Sequence, residues 1–351
     1  NLTLVLAVQV VSLVYLLNRF GVDGLKWLVR GFLALVVIRL TLNPWLLTYP
    51  KDIHWSLWTY GGAALCCGVA AWMGRSASSL NKWLEAATLH LVVLFLATET
   101  RYLLYDGNIF IDDYTLTEAA INTILWSALG LTNYYRSRVS DLLPAYYLLC
   151  SRILMVMAVA NCALVLTVLN PWWSGEAIGA TPLWNLLLAA YGAPVVISLV
   201  CLWFYDNRWK AVSAVLAGLT LFAFVNMEIR HLWQGAVDLS LSTGEGELYT
   251  YSLVWLILAI AAILLAAKIK RQGLYQAGMG LLLLVIAKIF LIDMAGLEGL
   301  LRVASFMGLG LSLLGLAYLY QKIIKKTDPR TDRESSRRKA GQTDVQEDRQ
   351  C

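Results

Sequence analysis

Apolar runs of membrane-spanning length recur along almost the whole sequence, and they constrain its fold more than any other feature. Examples are LTLVLAVQVVSLVYLL (2–17) and LVWLILAIAAILLAA (253–267). A helix needs roughly 20 mostly apolar residues to cross a bilayer. Of the 351 residues, 59% are apolar and 15% are charged, whereas soluble domains have roughly 25% charged residues. We therefore predict a polytopic integral membrane protein of the all-α class.

The runs predict about eleven transmembrane helices, joined by short polar segments. The sequence opens at Asn1, directly before the first run. We therefore expect it to be part of a longer protein, with the first span truncated. The predicted spans are 2–17, 24–43, 54–73, 80–103, 114–134, 143–169, 183–205, 209–233, 248–267, 273–293 and 301–323.

The connecting segments alternate in charge, and this alternation predicts the topology. One set is basic: Arg19; Arg75 and Lys82; Arg136 and Arg138; Arg208 and Lys210; Lys268, Lys270 and Arg271. The other set has Lys51 as its only base and holds acids: Asp106, Asp112, Asp113, Glu176, Asp238, Glu245 and Glu247. Because short basic loops stay in the cytoplasm, we place the first set and the C-terminal tail inside. The tail mixes charges without apolar periodicity, which predicts disorder.

An internal repeat is indicated by two Glu-x-Arg triplets, Glu99-Thr100-Arg101 and Glu228-Ile229-Arg230, each near the end of an apolar run. Aligning them also pairs Asn43-Pro44-Trp45 with Asn170-Pro171-Trp172. A four-span unit returns to the side on which it began, so its copies must be parallel. The predicted organisation is a first span and inner loop (1–23), repeat one (24–134), repeat two (143–267), a partial third repeat (273–323) and a tail (324–351).

Ionisable residues at membrane depth are rare and usually face the interior of a helix bundle. Within Glu-x-Arg the two side chains point about 200° apart, so they cannot pair with each other. We expect Arg39 and Lys288 as partners for the glutamates, and Asp293 and Glu298 for the arginines. The predicted intramembrane polar cluster, mostly toward the outer leaflet, is Arg39, Glu99, Arg101, Arg152, Glu228, Arg230, His231, Lys288, Asp293 and Arg302.

Three functions are compatible with this cluster. It can bind an anionic headgroup, a glycan-linked lipid or an ion in a protein that transports or handles an envelope or lipid-linked substrate. It can instead be a lattice of interhelical ion pairs in a structural or assembly protein. Asp112 and Asp113, paired in an outer loop, leave a membrane-embedded transferase as a further alternative.

Sequence signatures of catalysis and cofactors are absent. There is no Walker loop, Gly-x-Ser-x-Gly, dinucleotide fingerprint or HExxH, and no metal-ligand spacing. We predict no catalytic, cofactor-binding or metal site, and a non-enzymatic role is favoured. The expected partners are membrane lipid and an anionic or glycan-lipid substrate, not nucleic acid. An oligomer, or a soluble portion preceding this sequence, is also compatible.

Two stretches carry a resemblance to a known family. AKIFLIDMAGLEGLLRVASFMGLGLSLLGLAYLYQK (287–322) and VNMEIRHLWQG (225–235) are similar to bacterial predicted membrane proteins of domain-of-unknown-function family 2339. The resemblance covers residues 210–323, with Lys288, Asp293, Arg302 and Tyr320 at motif positions. It implies a long multi-pass protein of the bacterial inner membrane, often with an N-terminal soluble or coiled-coil stretch, and it implies no established reaction.

Overall fold

Helices make up most of the structure, a computed structural model that describes residues 2–43, 49, 54–74, 78–205, 208–293, 307–308, 310–315 and 317–318. Among these residues there is no β-strand, and the prediction of an all-α protein is confirmed. The helices are α1 (Leu2–Phe20), α2 (Leu25–Leu42), α3 (Leu57–Met73), α4 (Ser78–Leu104), α5 (Leu116–Val139), α6 (Pro144–Leu166), α7 (Pro171–Ser174), α8 (Leu188–Phe204), α9 (Arg208–Gln234), α10 (Glu245–Ile269) and α11 (Gln272–Asp293).

Among the described residues, six helices are long and apolar enough to cross a membrane: α1, α4, α6, α9, α10 and α11. The apolar helices α3 and α8 are shorter. α2 carries Lys26, Arg30 and Arg39 within 18 residues, which lowers its apolar character. Helices thus lie at ten of the eleven predicted spans, and 301–323 falls largely outside the described residues. The count of eleven spans stays a prediction.

The chain forms two compact units, Asn1–Leu241 and Ser242–Cys351. In the first unit, helices that follow each other pack side by side as α1 with α2, α3 with α4, α5 with α6, and α8 with α9. α1 also packs on α3, and α2 on α4. In the second unit, α10 packs on α11. The unit boundary falls between α9 and α10, within the second predicted repeat, and the repeat boundaries stay predictions.

Small side chains allow the helices of the first unit to approach closely. Ala63, Cys67 and Ala70 recur on one face of α3 and belong to a buried cluster that includes residues of α1. A Cβ atom at Gly62 would lie 2.8 Å from Leu4 Cδ1. Large apolar side chains cover the outside instead, and Trp203 is 87% exposed. Such a surface is unfavourable in water and is what lipid tails contact in a membrane protein.

Five-residue π-helical turns begin α3 (Leu57–Gly61) and α8 (Leu188–Gly192), where the sequence predicts uninterrupted spans. Both turns have the sequence Leu-x-x-Tyr-Gly. The Tyr60 hydroxyl donates to the Leu40 carbonyl at 3.2 Å, and the Tyr191 hydroxyl donates to the Val165 carbonyl at 2.9 Å. Since both carbonyls lie in the last turn of a preceding helix, each tyrosine fixes a π-helical turn to that helix end.

We expect Tyr191→Phe to lower the free energy of unfolding by about 1 kcal/mol, because it leaves the buried Val165 carbonyl without this donor. Thermal unfolding of the purified protein in detergent measures the change. Tyr15→Phe is the matched control, since Tyr15 is 57% exposed on α1. Equal stability of the two variants would contradict a structural role for the Tyr191 hydroxyl.

Candidate functional site

Glu99 lies near the end of α4 and binds the segment that precedes α3. One carboxylate oxygen, Oε1, lies 2.9 Å from His54 Nε2, and Oε2 accepts a hydrogen bond from the Ser56 hydroxyl at 2.6 Å. The His54 ring stacks on Tyr102 with 4.2 Å between ring centroids. The Glu99 side chain is 15% exposed and that of His54 is 35% exposed. Glu99 therefore fixes the start of α3 against α4, while the imidazole stays accessible.

Arg101 binds a different part of the chain, the loop between α4 and α5. Its Nη2 donates to the carbonyl oxygens of Ile111 at 2.9 Å and Asp113 at 3.1 Å. Its Nε lies 3.0 Å from Glu118 Oε1, but the N–H does not point at the carboxylate, so this contact is an ion pair without a hydrogen bond. The Tyr105 hydroxyl donates to Glu118 Oε2 at 2.7 Å. Arg101 thus ties the loop and the first turn of α5 to the end of α4.

Glu228, on α9, contacts the segment before α8 much as Glu99 contacts the segment before α3. Its Oε2 accepts from the Leu183 backbone N–H at 3.1 Å, and its Oε1 accepts from Asn185 Nδ2 at 2.8 Å. The Asn185 side-chain oxygen accepts in turn from the Leu187 backbone N–H. His231 Nδ1 lies 3.4 Å from Asn185 Nδ2. Glu228 and His231 are buried. The carboxylate therefore binds the segment before α8 at a place that solvent does not reach.

Arg230 binds the loop that follows its own helix. Its Nε and Nη2 donate to the Asp238 carbonyl oxygen at 3.0 and 2.8 Å, and Nη2 donates to the Leu241 carbonyl oxygen at 2.7 Å. The guanidinium is buried. The Ser240 backbone N–H and hydroxyl both donate to the Asp238 carboxylate and hold the pKa of that carboxyl below its usual value. Arg230 therefore fixes the loop after α9 in a folded conformation.

Lys288 and Asp293 form a compact polar group within the second unit. Lys288 Nζ lies 2.7 Å from Asp293 Oδ1 and donates to Ser252 Oγ at 2.6 Å and to the Leu248 carbonyl oxygen at 2.9 Å. The Ser252 hydroxyl donates to the other Asp293 carboxylate oxygen. A π-helical turn, Ile289–Asp293, ends α11 and brings the two charges together. The group is electrically neutral and joins α11 to α10.

Comparison with known proteins decides the family. The model of a family described as predicted membrane protein (DUF2339) matches residues 1–323. The chain belongs to the DUF2339 family. The resemblance inferred from residues 225–235 and 287–322 is confirmed, and the match includes all of the described helices. No curated protein and no solved structure matches the chain.

The ion-pair partners differ from those expected for this DUF2339 protein. Glu99 contacts His54 and Ser56, not Arg39. Within the second unit, Lys288 and Asp293 contact each other. The expected partner Glu298 lies outside the described residues. Each triplet contacts the carbonyl oxygens of a neighbouring loop and the start of a neighbouring helix, which a pairing of charges alone does not predict.

The other residues of the predicted cluster have separate surroundings. Arg39 Nε donates to Thr3 Oγ1 at 3.0 Å, which joins α2 to α1. Arg152 is exposed on α6. Arg302 lies outside the described residues. The described residues of the predicted cluster take part in several local contacts within each unit. The predicted single cluster of ten residues stays a prediction.

Several residues that complete these contacts were missed from the sequence. Glu118 is 1% exposed, although the spacing Thr115-x-x-Glu118 is a helix-start signal, and Thr115 does cap α5. Glu247 is also fully buried, and the Tyr251 hydroxyl donates to it at 3.1 Å. Asn185 precedes a helix, where Asn commonly caps. His54 has no sequence signal that points to Glu99.

The two outer-loop carboxylates Asp112 and Asp113 are exposed. The backbone carbonyl of Asp113 serves the DUF2339 fold as an acceptor for Arg101 and Tyr105. Across the described residues, no group of three or more His, Cys, Asp or Glu side chains is placed to hold a metal ion. The geometry therefore assigns structural contacts to this loop.

Proposed function

We propose that this DUF2339 protein is a membrane-embedded structural or assembly protein whose Glu-x-Arg triplets connect helix ends to loops. The observation that carries the proposal is that each of the four triplet charges contacts protein groups. Each glutamate accepts from the segment before a π-helical turn, and each arginine donates to loop carbonyls. Charges that are bonded in this way favour one arrangement of the chain, and the buried Glu228 and Arg230 leave few atoms for a ligand.

The proposed architecture is a bundle of about eleven spans with parallel four-helix repeats. Its support is the recurrence of three local features: Leu-x-x-Tyr-Gly turns, a glutamate bonded to the segment before the turn, and an arginine bonded to loop carbonyls. The alternating loop charges support an orientation with the basic loops and the tail 324–351 in the cytoplasm. On this proposal the protein resides in a bacterial inner membrane, with both triplets near the outer face.

A second candidate function is the handling of an anionic or glycan-linked lipid at the first triplet. Its support is the accessibility of His54 and Arg101, whose side chains are 35% and 29% exposed. The second triplet, by contrast, is buried at Glu228, Arg230 and His231. An exposed imidazole and guanidinium near the membrane surface offer donors to a phosphate or carboxylate group.

Glu99→Ala tests the structural proposal. The substitution leaves the buried Ser56 hydroxyl without its acceptor and frees His54, so we expect a loss of about 2 kcal/mol in the free energy of unfolding. Thermal unfolding in detergent measures it, with and without a polyprenyl phosphate in the micelle.

Glu85→Ala is the matched control on the same helix. Glu85 pairs with Arg136 at 3.2 Å, but both side chains are about one-third exposed or more, so we expect a loss below about 1 kcal/mol. If Glu99→Ala keeps the wild-type stability and loses stabilisation by polyprenyl phosphate, the second candidate function replaces the first.

A further inference from the structure

A groove of about 510 Å³ lies between α2, α4 and the start of α6. Its floor is formed by buried side chains such as Leu33 and Ala87, and the small Ala34 leaves room along its wall. Ile38 and Trp83, at its rim, are 55% and 44% exposed. The groove is therefore open to the surroundings of the helix bundle. Its volume falls within the roughly 300–1,000 Å³ of small-molecule sites.

Arg30 is the charged residue of this groove, and its surroundings differ from those of Arg101 and Arg230. Its Nε is buried without a hydrogen-bond partner. The guanidinium lies 5.1 Å from the centroid of the Trp27 ring, and no carboxylate pairs with it among the described residues. Arg101 and Arg230, in contrast, donate to two carbonyl oxygens each. A cation that has no carboxylate partner in an apolar groove is stabilised when an anion from outside the chain binds to it.

Two other polar side chains of the groove, His90 and Tyr146, already contact protein groups. His90 Nε2 lies 2.9 Å from Thr41 Oγ1, and His90 Nδ1 lies 3.3 Å from the Tyr146 hydroxyl. Arg30 follows the first residue of α2 by five positions, about 7 Å along the helix, and Thr41 lies about 16 Å further on. The groove therefore has a cation near one membrane surface and an apolar wall that runs toward the middle of the bilayer.

We propose that this groove binds an anionic phospholipid of the surrounding leaflet, with the lipid phosphate on Arg30 and an acyl chain along α2 and α4. The planar guanidinium suits bidentate binding of phosphate. Trp27 and Trp83 are placed as interfacial side chains beside the headgroup. In the orientation proposed from the basic loops, α2 starts on the cytoplasmic side. The lipid then belongs to the cytoplasmic leaflet, whose anionic lipids attract basic residues. This site is separate from the two triplets and does not depend on their structural role; its leaflet alone rests on the proposed orientation.

The test measures binding of dioleoyl phosphatidylglycerol and dioleoyl phosphatidylcholine to the full chain in detergent, by native mass spectrometry and by lipid-dependent thermal stabilisation. We expect phosphatidylglycerol to bind more tightly. Arg30→Gln is expected to weaken phosphatidylglycerol binding about tenfold, the size of a lost charge-assisted hydrogen bond. Arg30→Lys retains the charge and is expected to restore part of the affinity.

Arg19→Gln is the control for charge, because Arg19 is exposed at the same end of the bundle and does not line the groove. Ala34→Leu fills the groove and is expected to abolish binding of phosphatidylglycerol, whereas Ala214→Leu, at an exposed position of α9, is expected to leave it unchanged. Glycerol 3-phosphate alone is expected not to bind. Equal affinity for the two lipids, equal effects of Arg30→Gln and Arg19→Gln, or full binding by Ala34→Leu would each overturn the proposal.

Discussion

Replacing Arg230 by Met is expected to lower the free energy of unfolding by about 3–5 kcal/mol. Arg230 is 3% exposed, and its guanidinium donates three hydrogen bonds to the carbonyl oxygens of Asp238 and Leu241. Methionine fills a similar volume but donates none of them, so two loop carbonyls lose their donors. The loop after α9 is then expected to lose its fixed conformation before the helices separate.

Thermal unfolding in detergent measures the loss of stability, and amide hydrogen exchange over residues 235–241 measures the opening of the loop. Arg152→Met is the matched control, because Arg152 is exposed on α6. We expect it to change the stability by no more than about 0.5 kcal/mol. Wild-type hydrogen exchange in Arg230→Met would show that the guanidinium does not hold the loop.

The sequence predicts the helices of this protein well because the bilayer imposes a length and a composition on them. The positions of α1, α4 and α6 follow from apolar runs of sufficient length. The opposite directions of Glu99 and Arg101 also follow from 100° per residue, and the two side chains do contact different segments. The positions of the helices and the directions of side chains along a helix can therefore be predicted from the sequence.

The partners of these charges could not be predicted, because they depend on irregular backbone. Lys288 and Asp293 are five residues apart, which would place them about 140° apart on an α-helix. The π-helical turn that ends α11 brings positions five apart together, and the two charges meet at 2.7 Å. Loop carbonyls such as those of Ile111 and Asp238 carry no sequence signal at all, since every residue has one.

The pair Arg101–Glu118 is expected to show strong coupling in a double-mutant cycle. Arg101→Met and Glu118→Leu each leave the other charge without its partner, and the Glu118 side chain is only 2% exposed. We therefore expect the double variant to lose less stability than the sum of the losses in the two single variants. The difference, the coupling free energy, is expected to be about 1–3 kcal/mol. Unfolding of the four proteins in one detergent measures it.

The pair Arg136–Glu85 is the control for this cycle, because its side chains are 41% and 32% exposed and its coupling is expected to stay below about 1 kcal/mol.

Exchanging the charges, with Arg101→Glu and Glu118→Arg together, separates two roles of Arg101. The exchanged pair can restore the ion pair, but a carboxylate at position 101 cannot donate to the Ile111 and Asp113 carbonyls. We therefore expect the exchanged protein to be more stable than Arg101→Glu alone and less stable than the wild type. Full recovery of stability would mean that Arg101 stabilises the protein only through its ion pair. The hydrogen bonds to the Ile111 and Asp113 carbonyls would then not be needed to hold the loop in place.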